Sequence, residues 1–236
     1  MTIKTEEEIE KIRESSHIVH ETFNFVGTLI KPGVSTLEIN DKADEFIVRN
    51  GGKPAFKGYK VGLQTFQYAT CMSKNEAVVH GLPDDQLLEE GDTISVDIGV
   101  EKDGWFGDSA WTFPVGAISD EKAKLLEITK DSLMLGIAAA KAGGRLYDIS
   151  QAVQDYCQAN GYGIVKDLVG HGIGTHLHEE PQVPNYVPKR FETGYRNIEL
   201  REGMTLAIEP MVNMGTWRVK TLKDGWTIVT ADGKPS

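Results

Sequence analysis

The sequence predicts an α+β protein of two pseudo-symmetric halves, each running helix, helix, then strands, around a curved antiparallel sheet. Three observations predict it: paired amphipathic helices, their recurrence 110 residues later, and β-branched segments interrupted by single acids. Residues 6–30 read as the first helix, because Ile9, Ile12, Val19, Phe23 and Val26 recur at spacings of three, four or seven. Lys31-Pro32-Gly33 is its expected stop. Ser35-Thr36-Leu37-Glu38 then opens a second helix with the look of a capping region. Ile39, Ala43, Phe46 and Ile47 form its apolar face, and Asn50-Gly51-Gly52 is a left-handed ending.

A shift of 110 places Lys31, Gly33, Ile39, Asn50 and Gly51 on Lys141, Gly143, Ile149, Asn160 and Gly161. A shift of 112 turns Ser95-Val96-Asp97 into Ala207-Ile208-Glu209. The pattern is that of a duplicated unit, with halves at about 1–115 and 116–236. No Pro/Ser-rich linker parts them, so residues 1–236 read as one domain.

Composition narrows the function. The 236 residues hold 35 acids against 25 bases, a net charge of −10, which disfavours a nucleic-acid patch or an anionic membrane surface. No apolar run approaches the ~20 residues of a membrane span, and the charged start lacks a signal peptide's apolar stretch. Cys71 and Cys157 are the only cysteines and neither sits in a CxxC, so a reducing cytoplasm is the expected compartment. A monomer suits so compact a plan.

The chemistry lies in carboxylates placed where a core is expected. Residues 91–100 are rich in β-branched side chains, Asp103-Gly104 marks a hairpin turn, and residues 106–113 return. With a two-residue loop, paired positions sum to 207, so Asp97 opposes Ala110 and Asp108 opposes Gly99. Asp97 and Asp108 then share a face, with β-carbons roughly 7 Å apart. Two such acids repel unless solvent or a cation separates them. His171, among glycines in residues 168–174, and Glu209, in the apolar run 204–211, are matching donors. Asp97, Asp108, His171 and Glu209 together predict an oxygen/nitrogen metal site suited to Mn, Fe, Co or Zn. Two ions sharing a carboxylate, about 3.5–4 Å apart, polarise a carbonyl and generate hydroxide near neutral pH. His80 and His178, both beside turn signals, are candidates to hold a substrate amide or an oxyanion. His176 reads as a surface histidine. HExxH, GxSxG and GxxxxGK[ST] are all absent from the sequence.

Read together, these segments carry a resemblance: Asn75-Glu76 through Val79-His80-Gly81, Ser95-Val96-Asp97-Ile98-Gly99, Gly107-Asp108, Gly170-His171-Gly172-Ile173-Gly174, His178-Glu179-Glu180-Pro181, Ile208-Glu209-Pro210 and Lys223-Asp224-Gly225-Trp226. In order and spacing the chain resembles the type I methionine aminopeptidases over nearly its whole length. The resemblance implies the duplicated pita-bread fold and metal-dependent removal of the initiator Met from nascent polypeptides. It implies two divalent ions, with Asp108 bridging them, Asp97, His171 and Glu209 as further ligands, and Glu209 also moving a proton. His178 would hold the scissile carbonyl and His80 the departing amide side, while Phe66, Cys71, Leu177 and Trp226 line a methionine pocket. The nascent chain would be met free or at the ribosome.

Against the family pattern, about five extra residues fall between Pro184 and Asn197, and a short insertion precedes Phe66. The pattern also runs on to a last strand with a second bridging Glu, which the chain, ending at Ser236, is expected to lack. Two dications would then face three carboxylates. That motivates a non-catalytic binding protein of the same fold as one alternative. A proline-directed aminopeptidase or prolidase relative is the other.

Overall fold

A computed structural model describes residues 2–189 and 194–236; Met1 and residues 190–193, the latter inside the insertion expected between Pro184 and Asn197, lie outside the described residues. Helix α1 (Glu6–Gly27) starts at Thr5, whose hydroxyl accepts the Glu8 N–H while the Glu8 carboxylate accepts the Thr5 N–H. It ends three residues before the expected position. The Thr28 N–H and hydroxyl turn back onto the carbonyls of the last turn, closing the helix ahead of Lys31-Pro32-Gly33. Helix α2 (Thr36–Arg49) is capped by Ser35 Oγ, 3.1 Å from the Glu38 N–H, and Gly51 takes φ 81° just beyond its end.

Strands β1 (Lys53–Pro54), β2 (Lys60–Val61), β3 (Gln64–Thr65), β4 (Thr70–Lys74) and β5 (Ala77–Val79) precede the long hairpin of β6 (Thr93–Lys102) and β7 (Trp105–Pro114). Its turn is Asp103-Gly104, both at positive φ, and its register pairs Asp97 with Ala110 and Gly99 with Asp108, as the two-residue loop requires. Strand β6 explains why the fold can carry an acid there. Ile94, Val96, Ile98 and Val100 point one way and are completely buried in a cluster with Val26, Ile39, Ala43 and Ile47 of α1 and α2. Burial stabilises by roughly 1.5–3 kcal/mol for each such side chain, which fixes the strand's facing. Asp97, one residue out of phase, is committed to the opposite face.

The second half repeats the first in its hydrogen bonding. Helix α3 (Asp120–Ala139) leads to α4 (Leu146–Ala159), which is α2 moved by 110 at both ends. Strands β8 (Gly163–Ile164), β9 (Gly170–Gly172), β10 (Glu179–Val183), β11 (Leu206–Ala207), β12 (Val212–Asn213), β13 (Val219–Thr221) and β14 (Ile228–Thr230) follow. Lys53 pairs with Glu101 and Pro54 with Val100; shifted by 110 and 112, those pairs become Gly163 with Asn213 and Ile164 with Val212, and both exist. The bridge Ser35–Leu87 likewise returns as Arg145–Glu199.

The curved sheet is broken. Among the described residues the strands bond as five separate antiparallel sheets of two to four strands. Pro210, with no N–H to donate, falls between β11 and β12, and a register shift interrupts β10 between Glu179 and Gln182. The halves are nevertheless tied: β14 pairs with β5, and Val78 shares a core with Val165 and Met211. No helix among the described residues is long and apolar enough to cross a membrane.

A further tie reaches the start of the chain. The Lys4 N–H donates to Gly203 O, and Lys4 Nζ lies 2.6 Å from Glu179 Oε2, with side chains only 3% and 12% exposed. Burial pushes the Glu179 pKa up, but Lys4 and the His176 N–H outweigh it and hold it below the usual value. A depressed carboxylate contributes stability above its unfolded pKa and loses it as pH falls through the folded one. Replacing Lys4 by Ala strands that carboxylate, and we expect a loss of roughly 3 kcal/mol at pH 7, narrowing towards pH 3.5. Urea unfolding at the two pH values measures it; an equal loss at both would remove the ion pair as the cause.

Candidate metal centre and substrate pocket

Three strands and the segment just after a fourth deliver the carboxylates and imidazole. Asp97 and Asp108 come from β6 and β7, on the face turned from the helices. His171 is the middle of β9, pressed between β10 and β11. Its neighbouring glycines are required there. A Cβ on Gly170 would fall 2.2 Å from Ala207 O, and one on Gly172 would fall 2.5 Å from Glu180 O. His171 pairs with Ala207, and Glu209 follows two residues on. Asn185 Nδ2 donates to the Glu209 carbonyl at 2.7 Å and steadies that backbone.

His171 Nε2 lies 3.5 Å from Asp108 Oδ2 and 3.2 Å from Glu209 Oε1, while Nδ1 is 2.8 Å from Gly172 O. With Nδ1–H donated to that carbonyl, Nε2 is the ring nitrogen turned to the two carboxylates, and it would give up its proton on taking a cation. Burial drives the Asp97 pKa well above the usual range, and the charges of Asp108 and Glu209 drive it further. Glu209 is raised by burial and by Asp108, partly offset by His171. Burial opposes protonation of His171, but Asp108 and Glu209 outweigh it and carry its pKa to about 10. Asp108 Oδ1 and Glu209 Oε1 are buried without a hydrogen-bond partner; Glu209 Oε1 is near His171 Nε2 but not aligned with it.

These residues fit a cation. Three acids beside one imidazole gather excess negative charge in a partly buried hollow, with Asp108 only 9% exposed and Glu209 34%, which is costly unless a positive charge joins them. Metal–ligand bonds of about 2.0–2.2 Å set neighbouring donor atoms roughly 2.8–3.6 Å apart, and the two distances from His171 Nε2 fall in that interval. The shell is only partly closed: among the described residues no three His, Cys, Asp or Glu stand fully arranged around one ion position.

His178 is exposed as a residue, yet its ring packs on His171, centroids 4.4 Å apart. Partial desolvation and the repulsion of His171 and His80 lower its pKa to about 4. His80 has φ 57°, uncommon for a non-glycine and a form of strain often found at functional sites. Burial lowers its pKa, opposed by Asp108. Phe66 meets Trp226 edge to face at 5.2 Å, and Phe66, Cys71 and Leu177 are buried. Cys71 pairs with Asp97 across β4 and β6, where burial and the two aspartates raise its thiol well above the usual range. His176 is exposed, as expected for a surface histidine.

Sequence reasoning missed Tyr59. Its hydroxyl is 2.9 Å from His178 Nδ1, its ring lies edge-on to the imidazole at 5.3 Å, and its carbonyl accepts the Phe66 N–H. It thereby joins the histidine to the Phe66–Trp226 wall. The available signal was Gly62 opening a two-residue turn within the insertion, where Lys60 pairs with Thr65 and Val61 with Gln64.

Residues 10–231 match the pattern of metallopeptidase family M24. Methionine aminopeptidase 1 of Bacillus subtilis is 48% identical over 231 residues, covering 98% of this chain and 90% of that protein. A methionine aminopeptidase structure from Thermotoga maritima superposes with a TM-score of 0.93 at 41% identity, covering 100% of this chain and 91% of that one. A prolidase from Pyrococcus furiosus is more distant, with a TM-score of 0.74 and 27% identity over 88% of this chain and 57% of that one. The chain belongs to metallopeptidase family M24 and, within it, to the methionine aminopeptidases.

Proposed function

We propose that this chain is a metal-dependent aminopeptidase that removes the N-terminal Met of peptides and nascent chains. The observation that carries the reading is the convergence of Asp97, Asp108, His171 and Glu209, with two buried oxygens lacking partners. Asp97, Asp108, His171 and Glu209 would hold the divalent ions, taken as two. A donor set dominated by carboxylate oxygens, with one imidazole, suits Mn, Fe, Co or Zn. When bound, such ions polarise the scissile carbonyl and bring the pKa of water down towards ~7.

The protein supplies the rest. Glu209, its carboxylate already biased towards protonation, accepts the proton of the attacking water and returns it to the leaving amine. His178, neutral at pH 7, donates through Nε2 to the carbonyl oxygen as charge grows there, while Tyr59 holds Nδ1. His80 faces the departing amide. Phe66, Cys71, Leu177 and Trp226 receive the thioether side chain, for which aromatic walls are good contacts. The buried free thiols Cys71 and Cys157 suit a reducing cytoplasm. The protein is taken to act as a monomer, on chains met free or at the ribosome.

Protein loaded with Mn²⁺ or Co²⁺ should release Met from a Met-Ala-Ser peptide and leave Xaa-Pro dipeptides intact, and Glu209→Gln should lower kcat by about 10²-fold or more. Cleavage of Xaa-Pro dipeptides in preference to Met-Ala-Ser would instead make it a prolidase. Tyr59→Phe removes one hydrogen bond of roughly 1 kcal/mol, so kcat should fall about fivefold with KM scarcely moved. An unchanged kcat would leave Tyr59 without a positioning role. Finally, with its pKa carried to about 10, His171 holds a second proton at pH 7 when no cation is present, and burial with the charges of Asp108 and Glu209 biases Asp97 the same way. Metal binding should therefore expel protons and tighten as pH rises through neutrality. Calorimetry in buffers of differing ionisation enthalpy reads the number released, and zero would contradict the assignment.

A further inference from the structure

A cavity of about 510 Å³ opens between α4, β8 and the turn after β12. It shares no lining residue with the metal centre or the Phe66–Trp226 wall. Among the described residues its lining includes Lys166, Lys189 and Arg218 and no Asp or Glu, on a chain whose acids outnumber its bases by ten. Trp217 is the focus. Lys166 Nζ lies 5.1 Å and Arg218 Cζ 5.3 Å from its ring centroid, and the same lysine is 5.2 Å from the centroid of Tyr186. Among the described residues, neither Lys166 nor Arg218 forms an ion pair with a carboxylate.

The floor is fixed in advance. Gly163 and Ile164 pair with Asn213 and Val212, and a Cβ on Gly163 would fall 2.5 Å from Gly215 O. Asn213 Nδ2 donates to Thr216 O and the Thr216 N–H to Asp232 Oδ2, both at 2.8 Å, so the turn presenting Trp217 is held from two sides. That carboxylate oxygen of Asp232 is thereby engaged by backbone.

Cation–π contacts hold two positive groups close to one indole but do not neutralise them. A multiply charged anion does, and guanidinium plus ammonium is the pairing that recognises phosphate. The volume lies within the range of small-molecule sites. We propose that this cleft binds a small phosphate-bearing anion, at a site separate from the aminopeptidase centre. The shared chemistry is the phosphate group, whether free or on a nucleoside monophosphate whose base adds contact with the rings.

The test titrates the Mn²⁺-loaded enzyme with inorganic phosphate and with AMP at low salt, reading tryptophan emission. A saturable change is expected in the wild type and absent in Trp217→Phe. Lys166→Gln/Arg218→Gln should weaken the response at least about tenfold, whereas Lys166→Arg/Arg218→Lys should retain it. Phosphate reaching the metal centre instead would respond alike in all variants. Met release from Met-Ala-Ser should be unchanged throughout, so failure here is distinct from failure of the aminopeptidase reading. AMP binding tighter than phosphate identifies a nucleotide site, and equal affinities a site for the phosphate group alone. The proposal is overturned by an equal response in the Gln pair, by loss in the charge-retaining pair, or by no saturable change up to about 10 mM ligand.

Discussion

Mutual repulsion among Asp97, Asp108 and Glu209, gathered around one imidazole, is the constraint on which the structure turns. Partly buried carboxylates need compensation, and here two oxygens accept no hydrogen bond from the protein, with His171, among the described residues, the one cationic group beside them. The fold must therefore be strong enough elsewhere to force these groups together. It is: β6 is locked by four completely buried β-branched side chains on its other face, and β9 is wedged between two strands with no room for a Cβ beside His171. Stability is invested in the helix-facing layer, and the opposite layer is free to carry charge.

Duplication supplies the geometry. The pairing of β1 with β6 and of β8 with β12 is one arrangement used twice, which sets Asp97 and Glu209 at related places in the two halves. Their carboxylates meet where the halves meet. The Lys4–Glu179 pair and the β5–β14 pairing then hold that seam at its edges.

Much of this was legible from residues alone, for definite reasons. A two-residue Asp-Gly loop leaves a single register, so the pairing of Asp97 and Asp108 across β6 and β7 follows by arithmetic. The end of α2 was legible because Asn50-Gly51 stops a helix by local chemistry, whereas the end of α1 was not, since Thr28 turned the chain earlier than Pro32 demanded. Two of the interruptions of the sheet, at Pro210 between β11 and β12 and at the register shift in β10, are local events that no period reveals. Tyr59 and the Trp217 cleft were hidden for a different reason. Each is a meeting of side chains distant in sequence, Tyr59 with His178 and Lys166 with Arg218, and local pattern is silent about such meetings. The net charge concealed the cleft outright, because a sum does not report placement.

X-ray absorption at the metal edge of the Mn²⁺- or Co²⁺-loaded protein tests the central claim most directly. The account predicts a first shell of oxygen and nitrogen at about 2.0–2.2 Å, with the outer-shell scattering of one imidazole per two ions and no sulfur. A sulfur shell from Cys71, the absence of imidazole, or a fully hydrated ion would contradict it.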